Sequence, residues 1–199
     1  KIYLESGGAF DPTVGVLVNA WGFGPEDEIV SIDSTKIRSL LNRVGFDKVS
    51  LENNKVVSSV DSVYLDFNAI AKGYTVDVIG RYLESKQIKN YLVEIGGEVR
   101  VRGVNSKGEP WKIAIEKPNF DGTRSFQDVV GLNNETMATS GNYRKFKIDE
   151  KTGDRYAHTI DAKSGYPSKN NLLSASVISG LDCADVDGYA TAFMAMGFE

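Results

Sequence analysis

Two short stretches carry oxygen ligands and charge at spacings that suit phosphate chemistry. In Asp187-Gly-Tyr-Ala-Thr191 a carboxylate and a hydroxyl sit at i and i+4, on one face of a helix. Both are hard oxygen donors of the kind that hold Mg²⁺ beside a substrate phosphate. A helix-surface Asp with a Thr hydroxyl bonded back to its own backbone is the plainer reading and, taken alone, the stronger one. In Asn68-Ala-Ile-Ala-Lys-Gly73, Lys72 falls in the first turn of a helix, where the macrodipole opposes a cation. A bound phosphate at that helix start reverses the sign, whereas a solvated surface lysine costs little.

Three further segments qualify. Tyr156-Ala-His-Thr-Ile-Asp-Ala-Lys-Ser-Gly-Tyr-Pro167 holds the only histidine, His158, with Asp161 three positions on and a Ser-Gly-Tyr-Pro turn after it. A single histidine is more often structural than catalytic. Met137-Ala-Thr-Ser-Gly141 is a small-residue stretch that suits either backbone amides turned toward an anion or a plain loop. Glu94-Ile-Gly-Gly-Glu98 reads as a hairpin turn whose glycines admit close approach of a flat ligand. Standard signatures are absent: no G-x-x-x-x-G-K-[ST] loop, no G-x-G-x-x-G and no G-x-S-x-G elbow. With one His and one Cys, a zinc site or a Cys–His nucleophile is not expected.

The elements that must position these groups follow from periodicity. Ser34–Val44 has apolar residues at 37, 40, 41 and 44, an amphipathic helix with Ser34 as N-cap. Val63–Phe67 alternates as a strand, and Asn68 caps a helix over 69–86. That helix has an inner stripe of Val76, Ile79, Gly80 and Leu83 and a second of Tyr74, Val78 and Tyr82, so burial on two sides is expected. Strands are expected at 91–95, 99–101, 111–115, 126–132 and 174–178, before a final helix over 182–196 whose apolar stripe Asp187 and Thr191 flank. Strands dominate without alternating βαβ units, which indicates α+β. The 199 residues suit one domain with a substantial core. A net charge of −4 gives no nucleic-acid footprint, and no apolar run is long enough to span a membrane. The single cysteine excludes an internal disulfide framework.

Taken in order, six stretches resemble the FAD:protein FMN transferase (ApbE) family: SGGAFDPTVG (6–15), LDFNAIAKGYTVD (65–77), YLVEIGGEVRVRG (91–103), ATSGNY (138–143), YAHTIDAKSGYP (156–167) and CADVDGYATAFMAMG (183–197). Asn68 departs from the family's usual Gly or Ser, and Glu94 from its common Asn. The resemblance implies one α+β domain over residues 1–199, ApbE-like and T-fold-like, with a mixed, mainly antiparallel sheet and flanking helices. The family normally has a further N-terminal portion and a last C-terminal strand, both expected to lie outside this sequence.

By position, the resemblance implies Mg²⁺ held by Asp187, Thr191 and the backbone carbonyl of Ala69. It implies FAD lined by Ala9, Phe10, Asp11, Asp66, Lys72, Glu94, Gly96, Gly97, Ser140, Gly141, His158, Thr159 and Ile160. The chemistry so implied is attack of a partner protein's threonine or serine hydroxyl on the flavin-side phosphorus, with AMP leaving. His158 is the candidate base, Asp161 its orienting partner and Asp187 the metal-bound catalytic carboxylate. The implied partner is a flavin-accepting subunit of a respiratory electron-transfer complex. The implied setting is the periplasmic side of the bacterial inner membrane, with a lipid anchor through a preceding segment. Three other readings compete: an FAD pyrophosphatase using water in place of the protein hydroxyl, a non-catalytic flavin-binding module, and a structural exported domain, which leaves Lys72 at its helix start unexplained.

Overall fold

The computed structural model describes residues 1–25, 33–119, 121, 123–143, 146–148, 153, 155–169 and 171–198. In chain order the helices are α1 (Ile2–Glu5), α2 (Gly15–Ala20), α3 (Ser34–Leu41), α4 (Asn68–Ser85) and α5 (Cys183–Met196). The strands are β1 (Val49–Glu52), β2 (Lys55–Ser58), β3 (Tyr91–Ile95), β4 (Glu98–Arg102), β5 (Trp111–Glu116), β6 (Phe126–Leu132), β7 (Thr136–Gly141), β8 (Phe146–Ile148), β9 (Arg155–Ala157) and β10 (Ser174–Ser179). All strand pairs are antiparallel. The fold is α+β, as expected. The chain sorts into two compact units, Lys1–Phe67 with Lys145–Asn171 and Ala195–Glu199, and Asn68–Arg144 with Leu172–Met194.

The first unit is built on α2 and α3. Val16, Leu17 and Ala20 pack with Ile37, Leu40 and Val44, joined by Ile160 and Ala162. Asp33, not Ser34, caps α3, its carboxylate accepting the Lys36 N–H at 2.8 Å. The displacement by one residue leaves Ser34 as the first helical position. Asp11 caps the 3₁₀ turn Pro12–Val14.

The second unit is a four-stranded sheet, ordered β10-β7-β4-β3. Its two-residue Gly96-Gly97 turn has φ values of 60° and 104°, a conformation that favours glycine. The turn sets the register: Ile95 lies opposite Glu98, and Val93 opposite Arg100. Because side chains alternate, Tyr91, Val93, Ile95, Glu98 and Arg100 share one face. Across β7 that face continues through Ala138 and Ser140, opposite Val177 and Ala175 of β10. Both long helices cover it, Val76 of α4 packing with Tyr91, Val93 and Cys183, and Val186 and Ala190 of α5 with Ala138. The other face carries Val99, Val101 and Met137 against Leu132 and the apolar side chains of the β5–β6 hairpin.

Helices α4 and α5 meet at their starts. A Cβ on Gly73 would stand 2.4 Å from the carbonyl oxygen of Cys183, so only glycine permits this approach. The contact is completed by Asp77 of α4, which caps the neighbouring helix. Its carboxylate accepts the Cys183 and Ala184 N–H groups, both at 2.9 Å, and Arg100 at 2.7 Å. The α5 N-terminal amides are thus satisfied from another helix, with Arg100 offsetting the buried charge.

Three expectations need correction. Residues 63–67 form no strand; they lead into α4 without regular structure, half-buried from Val63 to Asp66, with Tyr64 packed against the α2–α3 core. Tyr74, Val78 and Tyr82 are 59, 45 and 60% exposed, so within the described structure α4 is buried on one side only. Asp187 does not flank the apolar face of α5 but lies within it, 3% exposed. Gly73→Ala is expected to lower the unfolding free energy by about 1–3 kcal/mol, since backbone cannot yield as a side chain does. An unchanged urea midpoint in that variant would refute the close approach.

Candidate functional site

The buried Asp187 is held where α4 begins. Its Oδ2 accepts the N–H of Gly73 at 3.1 Å. In a regular helix that N–H faces the carbonyl of residue 69, four positions back, so the carboxylate lies against the turn that carries Ala69. Thr191 stands one turn further along α5, its hydroxyl 3.3 Å from that of Ser140 on β7. Of the expected metal ligands and small-residue groups, the second unit therefore gathers Asp187, Thr191, Ser140 and the start of α4.

Lys72 has a partner that spacing did not reveal. Its Nζ lies 2.5 Å from Oε2 of Glu98, whose side chain is 1% exposed against 46% for the lysine. Neither Glu98 oxygen accepts a hydrogen bond of regular geometry among the described residues. The contact is an ion pair rather than a well-formed hydrogen bond. This buried carboxylate accounts for a cation in the first turn of α4, which neither a phosphate nor free solvation is needed to explain. Burial pushes the Glu98 carboxyl up, while the Lys72 ammonium pulls it down. Glu98 was not among the expected site residues. The signal for it was the two-residue Gly-Gly turn, which puts Glu98 on the same face as Ile95 and Val93.

The Asp187 carboxyl is pushed up to about 7, first by burial and then by the charge of Glu98; the Gly73 N–H and Lys72 work in the opposite direction. Two buried carboxylates with one nearby ammonium form a donor set short of positive charge. The Asp187 carboxylate, the Thr191 hydroxyl and main-chain oxygens are hard donors of the kind that fit a hard divalent cation. Cys183 is buried and its thiol pushed up to about 12, burial being the largest cause, which makes it inert as a nucleophile.

The remaining expected residues are placed differently. Glu94 is exposed on the sheet face opposite Glu98, and its carboxylate accepts the Gly97 N–H at 3.2 Å. Gly96 lies beside the Lys72 stem. Thr136–Gly141 is a strand paired along its length with β10, so its main chain serves the sheet and is not an anion loop.

In the first unit, Phe10 is buried and Ala9 half-buried. The Asp11 carboxylate accepts Thr13 N–H, Thr13 hydroxyl and Phe46 N–H, at 2.8, 2.6 and 3.2 Å. Asp66 donates its N–H to the Pro12 carbonyl at 2.7 Å. His158 is half-buried, with Phe23 edge-on to its ring at 6.3 Å between centroids. Thr159 accepts the Ser168 N–H through its carbonyl, and the buried Ile160 bridges Pro167. Asp161 uses both carboxylate oxygens inside its own turn, on the Lys163 N–H and the Ser164 hydroxyl. That geometry gives it a turn-building task.

Comparison with known proteins places these features. The ApbE family model matches residues 1–199. A Vibrio cholerae protein named FAD:protein FMN transferase is 43% identical over 194 residues, covering 96% of this chain and 57% of the relative. Its Escherichia coli K12 counterpart, of the same name, is 36% identical over 204 residues, covering 100% and 57%. Among solved structures, the flavin transferase ApbE from Vibrio cholerae superposes with a TM-score of 0.87 at 39% identity, over 100% of this chain and 62% of that one. A Thermotoga maritima ApbE protein gives 0.86 at 31% identity, over 98% and 62%. The chain thus spans little more than half the length of these curated relatives.

The raised Asp187 carboxyl has a consequence for the cation-free protein. Below the unfolded value, near 4, both states carry the proton and the fold gains fully; between there and about 7 the unfolded chain ionises first, and stability falls with rising pH. In EDTA, Asp187→Asn is expected to gain on wild type progressively from pH 5 to pH 8, by roughly 2 °C or more in Tm. Parallel Tm profiles for the two proteins would contradict the assigned shift.

Proposed function

This chain belongs to the ApbE family, and from that premise we propose that it is an FAD:protein FMN transferase. In this reading it moves FMN from FAD onto a threonine or serine hydroxyl of a partner protein and releases AMP. The observation that carries the reading is the buried Asp187 carboxylate, bonded to the Gly73 N–H at the start of α4 with Thr191 one turn away.

Asp187, Thr191 and the Ala69 carbonyl would hold Mg²⁺. Bound there, the ion would supply Lewis-acid polarisation of the diphosphate and compensate its charge. The chain's own residues do the rest. Lys72 offers its solvent-facing N–H groups to the phosphate oxygens, and the positive end of the α4 helix favours the same anion. His158 accepts the hydroxyl proton as the acceptor oxygen bonds to the flavin-side phosphorus. The bond from that phosphorus to the bridging oxygen breaks, and AMP departs with that oxygen. Atoms balance without water or redox partner: hydroxyl and FAD become the FMN ester, AMP and a proton.

Ser140, Gly141, Gly96 and Gly97 are proposed to flank the nucleotide. The setting that the reading carries is a flavin-accepting subunit of a respiratory electron-transfer complex, on the periplasmic side of the bacterial inner membrane.

The test is incubation with FAD, Mg²⁺ and a candidate acceptor, followed by in-gel flavin fluorescence after denaturation. Covalent flavin on the acceptor is the expected result, whereas free FMN alone would assign hydrolysis instead. Asp187→Ala is expected to abolish divalent-dependent transfer; rates near wild type would remove the metal assignment. His158→Ala is expected to slow transfer about 10²-fold or more at saturating FAD. A loss confined to FAD affinity would make His158 a binding group.

A further inference from the structure

Resting on the reading above, that this site takes a dinucleotide diphosphate with a divalent cation, we propose that Glu98 is its charge-balancing residue, setting how strongly nucleotide binding depends on the cation. Glu98 is fully buried at the start of β4, against Lys72 at 2.5 Å. A fully buried carboxylate carries a desolvation penalty that a single ion pair commonly fails to recover. A lysine meant only to attract phosphate would do so better without it, because the paired ammonium presents little net charge to an incoming anion.

Glu94, exposed to solvent, acts weakly on Glu98; the side chains that couple around the buried carboxylates are Lys72, Glu98 and Asp187. Above the raised Asp187 value, where both carboxylates are ionised, the two carboxylates and one ammonium sum to −2 + 1, or −1. A diphosphate brings two further negative charges and meets no net attraction from this set. A divalent cation turns −1 into +1, so cation and nucleotide each favour the other's binding. Glu98 touches neither in this account. It acts through Lys72, whose charge it masks, and through the field it places on Asp187.

Two roles for Glu98 predict different signs. If it merely holds the lysine in place or supports the fold, removing its charge weakens both ligands. If it balances charge, removal makes the metal-free site less negative, which strengthens the anion and weakens the cation. At an effective dielectric near 20, one unit charge alters the affinity for another by roughly 100-fold at about 6 Å and by roughly tenfold at about 12 Å.

The experiment uses the full chain with Glu98→Gln, a nearly isosteric change. FAD affinity is read by flavin fluorescence in EDTA, and cation affinity by Mn²⁺ paramagnetic resonance without nucleotide, both at pH 8.5, where Asp187 is ionised with or without the Glu98 charge. In the variant FAD is expected to bind roughly tenfold more tightly without metal and Mn²⁺ roughly tenfold more weakly, so the cation's enhancement of FAD affinity shrinks. Shifts in the same direction, or none, overturn the proposal. Lys72→Met supplies the mirror image should Glu98→Gln fail to fold: tighter Mn²⁺ and weaker FAD support the charge count, and weakening of both defeats it. Wild-type protein that binds neither probe overturns the transferase reading along with this one. Wild-type binding of both without opposite shifts overturns this one alone.

Discussion

Helices α4 and α5 meet at their starts across a position that tolerates no side chain. Gly73 allows the α4 backbone to come against Cys183, and two aspartates use the proximity. Asp77 crosses from α4 to cap the α5 amides, and Asp187 crosses from α5 to the Gly73 N–H. Each helix therefore satisfies main-chain groups of the other, and both carboxylates are removed from water as a result. The capping aspartate is paired with Arg100. The second aspartate, buried at the same junction, keeps a raised carboxyl.

The sheet supplies the other half of that electrostatic arrangement. A two-residue turn fixes which β4 side chains point under the helices, and they are Glu98 and Arg100, both charged. Arg100 meets Asp77 and Asp182, while Glu98 meets Lys72. The helix-covered face thus alternates apolar contacts with ion pairs. These pairs are weak grounds for stability, since hydrophobic replacements often serve as well.

Much of the secondary structure was legible locally. β6 runs over the expected residues, β3, β5, β10 and α5 lie within a residue or so of expectation, and the α+β class followed from their order. The strand expected at 63–67 failed because alternation records a one-sided contact without saying that another strand supplies it. The exposed Tyr74, Val78 and Tyr82 failed for a related reason: apolar residues at helical spacing show a face, not what covers it. At the site, Asp187 and Thr191 stood out as hard ligands one turn apart, yet their i, i+4 spacing was equally good for a solvated helix surface. Asp161 stood three positions from the lone histidine, and its contacts within its own turn were not legible from that spacing.

Residue types and their spacing settled the oxygen-rich chemistry, the lone histidine, the absence of nucleotide-loop and thiol signatures, and the turn that joins β3 to β4. Those properties are local, set by covalent geometry and by neighbours within a few positions. Burial of Asp187, the pairing of Lys72 with Glu98 and the capping of α5 by Asp77 were decided only by tertiary structure. They join residues separated by 114, 26 and 106 positions, and charge on a carboxylate depends on how much water and how many neighbours the folded chain leaves around it.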